Sequence, residues 1–373
     1  MKEKSPIMYS LILAGSYTAY NIGSGLASGT EALQFLVSFG GYWPFIMIAF
    51  CTIFTIITVF IMYSCSYSQN FKEANEGYYY FGGKYIGKAY DALVVVTLVS
   101  CGLVMISGSG ATINQLLGVP VYVGSVFMGI ISAFAACKGL RKLVNILGYM
   151  GIVIVISVIS ISIYTISTTN GSPVETSKNV LQYVAEGKIL QTGYLGIYHP
   201  IVAGVTYAGT LLLVSAPWVL TTGRLFRSNK DIMWTSVFSA SFFYVCVLAV
   251  VIILMLKMDV VAGTQVPMLA AVQDILPILA YPYTAIIITA IFTTVTGMMW
   301  VLADRFANEG EKKFNIIIIG TIIFGVVGGS IFPFTTIVNF VYTLIGIAGI
   351  LFGILIIIKA IKIKVSGNSL LNK

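Results

Sequence analysis

Ala19-Tyr20-Asn21-Ile22-Gly23-Ser24-Gly25-Leu26-Ala27-Ser28-Gly29-Thr30-Glu31 interrupts the first apolar stretch of the chain with three glycines and ends on a carboxylate. Glycine weakens a helix interior by about 1 kcal/mol relative to alanine, and a charge at bilayer depth costs about 2.5–3.5 kcal/mol on insertion scales. A segment that only had to cross a membrane would gain nothing from either. Unwound backbone is tolerated at that depth only where protein buries it or where it lines a cavity. The stretch therefore predicts a first helix broken near the midplane around something that it binds.

Composition sets the class. Of 373 residues, 58% are hydrophobic and 9% charged, against about 25% charged in an ordinary soluble domain. Long apolar runs recur along the whole chain, which predicts an all-α polytopic membrane protein. The net charge of +8 does not point to nucleic acid, because the basic residues sit in short loops rather than on one face. The cysteines (Cys51, Cys65, Cys101, Cys137 and Cys246) are scattered and form neither a disulfide framework nor a metal-spaced pair. The first apolar stretch lacks a small-residue cleavage site, so no cleavable signal peptide is expected.

Ten transmembrane spans are predicted, over 7–36, 43–67, 89–116, 120–137, 142–167, 199–222, 232–256, 283–303, 314–332 and 335–358. With the N-terminus inside, the inner loops hold eighteen lysines and arginines and the outer loops only Lys178, Lys188 and Lys257. That bias places both termini in the cytoplasm. Twelve of the thirteen acidic residues lie in or beside loops; Glu31 alone falls within a span, with no lysine or arginine at matching depth. It must face water, accept hydrogen bonds, hold a cation or be protonated, and it is read as a coupling or gating group.

Ten spans divide into five and five, and an odd-numbered half inserts opposite to its twin. Such an inverted repeat puts a binding site between the first helices of the halves, both interrupted near the midplane. The division is 1–168, an outer connection over 169–198, and 199–373, the last including an outer segment 257–282. In the sixth span Gly204 and Gly209 bracket Thr206 and Tyr207, with Pro217 one to two turns on. A second break is expected at Thr206, Tyr207, Ala208 and Gly209; glycines that merely pack against a neighbour are the alternative.

Ile22-Gly23-Ser24-Gly25 resembles the first-helix glycine motif of the amino acid–polyamine–organocation superfamily, whose members share the LeuT-type fold. Gly25 through Phe35 is similar to a bacterial branch, the YkvI-like membrane proteins. The resemblance implies a secondary transporter in a bacterial cytoplasmic membrane, working by alternating access. It implies that the amides of Gly23, Ser24 and Gly25 hold a substrate carboxylate, with Thr206, Tyr207, Ala208 and Gly209 opposite. It further implies a sodium site from the carbonyls of Ala19, Ile22 and Ala290 and the hydroxyls of Thr293 and Thr294. Hard oxygen ligands of this kind suit an alkali cation. The 257–282 segment resembles a helical hairpin folded over the outer vestibule.

The substrate expected is a small zwitterion such as an amino acid, coupled to Na+ or H+. An organic-cation carrier of the same fold and a non-transporting receptor of the germinant-receptor type are the alternatives. No nucleophile–base pair, phosphate loop or metal cluster is read, so no enzyme, no cofactor beyond a coupling Na+, and no obligatory protein partner is expected. The resemblance implies that Met105 and Cys101 of the third span, a helix that flanks the site in that superfamily, line it; nothing in their spacing shows this. His199 reads as an interfacial residue, and Tyr78-Tyr79-Tyr80-Phe81 as an anchor in an inner loop.

Overall fold

The computed structural model describes residues 6–136, 140–169, 171–194, 196–329, 331–366 and 370. Lys2, Glu3, Lys4, Cys137, Lys138 and Lys373, which enter the reading above, lie outside the described residues.

The first span is broken where the glycines fall. It forms α1 (Pro6–Asn21), a four-residue α2 (Ser24–Ala27) and α3 (Thr30–Phe35). There follow α4 (Trp43–Gln69), α5 (Ala74–Leu117), α6 (Val121–Ala136) and α7 (Leu140–Thr168). The 169–198 connection carries α8 (Pro173–Thr176) and α9 (Val180–Ala185). The second half comprises α10 (Pro200–Thr222), α11 (Asn229–Leu256), α14 (Ala280–Asp304), α15 (Lys312–Gly329) and α16 (Phe334–Val365). Two short helices, α12 (Met258–Val261) and α13 (Pro267–Ile275), sit between α11 and α14 in the expected outer segment.

Eight of these helices (α4, α5, α7, α10, α11, α14, α15 and α16) are long and apolar enough to cross a membrane. The sixteen-residue α6 and the divided first span are the other apolar segments. Burial separates centre from rim: 83% of the apolar window of α10 is buried against 28% of that of α15. Packing follows suit. α1 lies mainly on α7 and α11, α10 on α16 and α4, and α5 on α14, α6 and α15.

Glycines set the two tightest crossings. Gly15 of α1 meets Gly148 and Gly151 of α7, and Gly209 of α10 meets Gly346 and Gly349 of α16. A Cβ at Gly209 would collide with the Gly346 carbonyl, and one at Gly151 with that of Gly15. Small residues let helix backbones approach in this way where lipid supplies no hydrophobic drive.

Two expectations are corrected. The sixth span is not interrupted at Thr206–Gly209: α10 is continuous from Pro200 to Thr222, because Gly209 is used as the contact with α16 and the helical hydrogen bonds stay closed. Nor does Tyr78–Phe81 lie in a loop. α5 starts at Ala74, bends at Gly83 (φ 69°), and buries Tyr78 edge-on against Phe352 while Tyr79 stays exposed. The apolar rings make this inner segment a packed helix. His199 does sit at an exposed helix start, where its Nδ1 accepts the Ile201 amide at 3.2 Å.

Candidate functional site

Local chemistry explains the break. Asn21 turns its amide back to the Tyr17 carbonyl at 2.8 Å, and Gly23 donates to the Asn21 carbonyl at 2.9 Å, so the ladder of α1 stops. Gly23 is extended (φ −90°, ψ −160°), and α2 begins a fresh turn. Gly29, at φ 82° and ψ −7°, then reverses the chain into α3. A side chain there costs about 1–2 kcal/mol in the left-handed region. Its Cβ would also meet Met268 Cγ at 2.7 Å. Gly29→Ala is accordingly expected to lower the melting temperature of the purified protein, and an unchanged value would refute the strain.

α2 is wedged between α5 and α14. Ser24 donates its amide to the Met105 sulfur at 3.0 Å and its hydroxyl to the Val104 carbonyl at 3.2 Å, while Tyr283 donates to the Ala27 carbonyl at 2.8 Å. Met105 thus stands against the break, as expected. Its sulfur, a weak acceptor, takes the first N–H of a helix start, a group that favours an anion.

Glu31 lies in the first turn of α3, the favourable end of the helix for an acid. It is 6% exposed, and none of the ion pairs among the described residues involves it. Its carboxyl folds back over Gly25: a Cβ there would come within 2.5 Å of Glu31 Oε2 and 3.2 Å of the Tyr342 ring. The Tyr207 hydroxyl, buried and otherwise unpartnered, approaches that carboxyl without completing a standard hydrogen bond. The Tyr207 ring rests 5.8 Å from that of Phe35.

Of the four residues expected from the sixth span, therefore, Tyr207 alone is turned to the break. Thr206 and Gly209 face α16, and Ala208 is buried about 100° round the helix from Tyr207. Four of the five residues expected to form an ion site, Ala19, Ala290, Thr293 and Thr294, lie within hydrogen-bond distance of one another. Thr293 Oγ1 lies 2.8 Å from both the Ala19 and Ala290 carbonyls, and Thr294 Oγ1 lies 3.0 Å from that of Ala19. Ile22 is buried at the turn itself. Tyr342 and the Tyr20–Trp218 stack (centroids 5.0 Å apart) adjoin the region and were not anticipated; single aromatics in apolar spans carry no signal of their own.

The expected outer segment covers the break. Met268 of α13 donates its amide to the Ser28 carbonyl at 2.8 Å, and Thr30 donates its hydroxyl to the Gln265 carbonyl at 2.9 Å. Gln34 accepts the Thr192 amide at 3.1 Å and donates to the Thr335 carbonyl at 3.0 Å, tying α3 to the first connection and to α16.

The fold around this break is LeuT-like, and solved structures of that fold superpose on this chain. A Na+-coupled sialic acid symporter matches 94% of this chain and 78% of its own at TM-score 0.62 and 13% identity. MhsT in complex with L-phenylalanine matches 93% and 87% at 0.60 and 12%. Mhp1, a nucleobase-cation-symport-1 family transporter, matches 91% and 75% at 0.57 and 14%. Two proteins of Bacillus subtilis (strain 168) are similar in sequence at 23% identity: the membrane protein YkvI over 343 residues, 91% of this chain and 93% of its own, and YyaD over 350, 93% and 94%. No protein-family model matches the chain.

Proposed function

We propose that the protein is a secondary active transporter that carries a small zwitterion, such as an amino acid, by alternating access. The observation that carries this is the buried interruption at Ile22–Gly23 with Glu31 folded over it. The helix start at Ser24 and Gly25 takes the substrate carboxylate in place of the Met105 sulfur, and Glu31 with the Tyr207 hydroxyl takes its ammonium. An amide pole and a carboxylate beside one another select a zwitterion over a simple cation.

The two crossings support a five-plus-five inverted repeat across ten spans; the loop charge bias supports both termini in the cytoplasm, and the resemblance a bacterial cell. Gly15 on the Gly148/Gly151 pair is matched by Gly209 on the Gly346/Gly349 pair. Eight residues beyond Gly15 stands Gly23; eight beyond Gly209 stands Pro217, inside α10. Proline removes a helical hydrogen bond and its ring opposes the preceding turn. The flexible point of the sixth span is then Pro217.

Sodium is the coupling ion favoured by the donor set. Ala19, Ile22 and Ala290 carbonyls with the Thr293 and Thr294 hydroxyls are neutral hard oxygens. They tie the end of α1 to α14, so an ion there holds the break in its binding shape. Thermal stability of the purified protein against amino acids and amines, each in sodium and in potassium, tests the reading, since a ligand of the native state raises stability in step with its occupancy. A rise with one amino acid, larger in sodium, is expected. Thr294→Val should abolish the sodium increment and leave the amino-acid response in potassium. Absence of a response to every zwitterion would overturn the amino-acid reading and bring the organic-cation carrier and the receptor forward.

A further inference from the structure

Apart from the break, a small cavity with charged side chains in its wall lies between α5, α10 and α14. It is lined by Glu73, Tyr78, Asp91, Pro217, Asp304 and Arg305 among others. About 20 Å³ is open to the centre of a water-sized group, where about 10–15 Å³ suffices for one water.

Its charges do not balance. Arg305 is committed: Nε and Nη2 donate to the two Asp91 oxygens at 2.8 and 2.5 Å, and Nη1 stands 3.9 Å from Glu73. Asp304 has no ion pair and no hydrogen bond among the described residues. It is half-buried and ends the 25-residue α14, where the helix dipole is negative and disfavours an acid. Arg224, the other guanidinium whose field reaches it, donates to the Lys72 carbonyl at 2.9 Å. Three carboxylates, Glu73, Asp91 and Asp304, thus answer to Arg305 and to the field of Arg224, and Asp304 alone of the three has neither an ion pair nor a hydrogen bond among the described residues.

A second observation points to a guest. The Tyr78 hydroxyl, on a residue 1% exposed, has no hydrogen-bond partner and lies in the field of Asp91 and Arg305. A buried hydroxyl left unpaired costs about 1–3 kcal/mol. Among the described residues no three His, Cys, Asp or Glu side chains are placed to hold a metal ion. The vacancy in hydrogen bonding suits a group that donates in three directions, as –NH₃⁺ does.

We infer that this cavity binds a primary ammonium group, held by the Asp304 carboxylate and the Tyr78 hydroxyl, with a free lone pair of Asp91 or Glu73 as third acceptor. The site is independent of the reading of the break. Melting temperatures of the purified full-length protein in ammonium, methylammonium and choline chlorides at equal ionic strength test it. Ammonium and methylammonium should raise the wild-type value to a plateau; choline, which has no N–H, should not. Asp304→Asn should remove the rise, Tyr78→Phe should weaken apparent affinity about tenfold, and Thr294→Val, at the separate ion site, should keep it. Tighter binding of methylammonium would assign the site to organic amines, and tighter binding of ammonium to the inorganic ion. A wild-type protein indifferent to ammonium, or a rise that survives Asp304→Asn, overturns the inference. Should Asp304→Asn fail to fold, wild-type affinity in Tyr78→Phe overturns it equally.

Discussion

Glu31→Gln is expected to reduce uptake by at least about tenfold, the equivalent of about 1.4 kcal/mol in transition-state or binding free energy, while leaving the protein folded. Glutamine keeps the size and a hydrogen-bonding end but cannot carry charge. The carboxyl is buried over Gly25 and has no ion pair among the described residues. Only a charged or titrating role justifies such a group at that depth. A buried carboxylate without an ion pair is costly to ionise, so its replacement should also raise the melting temperature of the ligand-free protein. Uptake into proteoliposomes of the solute selected by the stability screen, measured across pH, checks both roles. Wild-type uptake with a wild-type pH profile would retire Glu31 as a functional group.

The largest effect on stability is expected from the crossings rather than from the site. Gly209→Ala sets a methyl group against the Gly346 carbonyl, where backbone faces backbone and no flexible side chain can swing aside. Overpacking of this kind costs about 1–3 kcal/mol. Gly15→Ala faces the Gly148 carbonyl in the same way and should lose a similar amount. Gly320→Ala, with nothing within 4 Å, is the control and should be neutral or slightly stabilising. Denaturation midpoints of the three variants decide it; a Gly209→Ala protein as stable as Gly320→Ala would show that the helices part without penalty.

Such contrasts mark what sequence can and cannot disclose. The break at Gly23 was readable because its causes are local: an extended glycine, a left-handed Gly29 and an acid lie within nine residues. Span positions followed from apolar length, which the bilayer dictates. Thr293 and Thr294 were singled out by register with a resembling family, and in the structure both hydroxyls donate to the Ala19 carbonyl. Gly204 and Gly209 misled because a glycine that lets a helix unwind and one that lets two helices touch are the same letter. The deciding partners, Gly346 and Gly349, lie in a different span. Tyr342 over Gly25 gave no local sign for the same reason. The inner aromatic run looked like an anchor until Phe352 supplied a ring to pack against.

The outer cover grips the break by main-chain atoms, Met268 N–H to the Ser28 carbonyl, and α3 by Thr30 to the Gln265 carbonyl. No substitution at Met268, short of proline, deletes the first of those bonds. Cover and break therefore share one hinge: lifting the 257–282 segment breaks a main-chain bond to Ser28, and shifting Ser28 loosens the cover. On the transport reading proposed above, that makes the two movements cooperative, each lowering the cost of the other by about the worth of the bond they share.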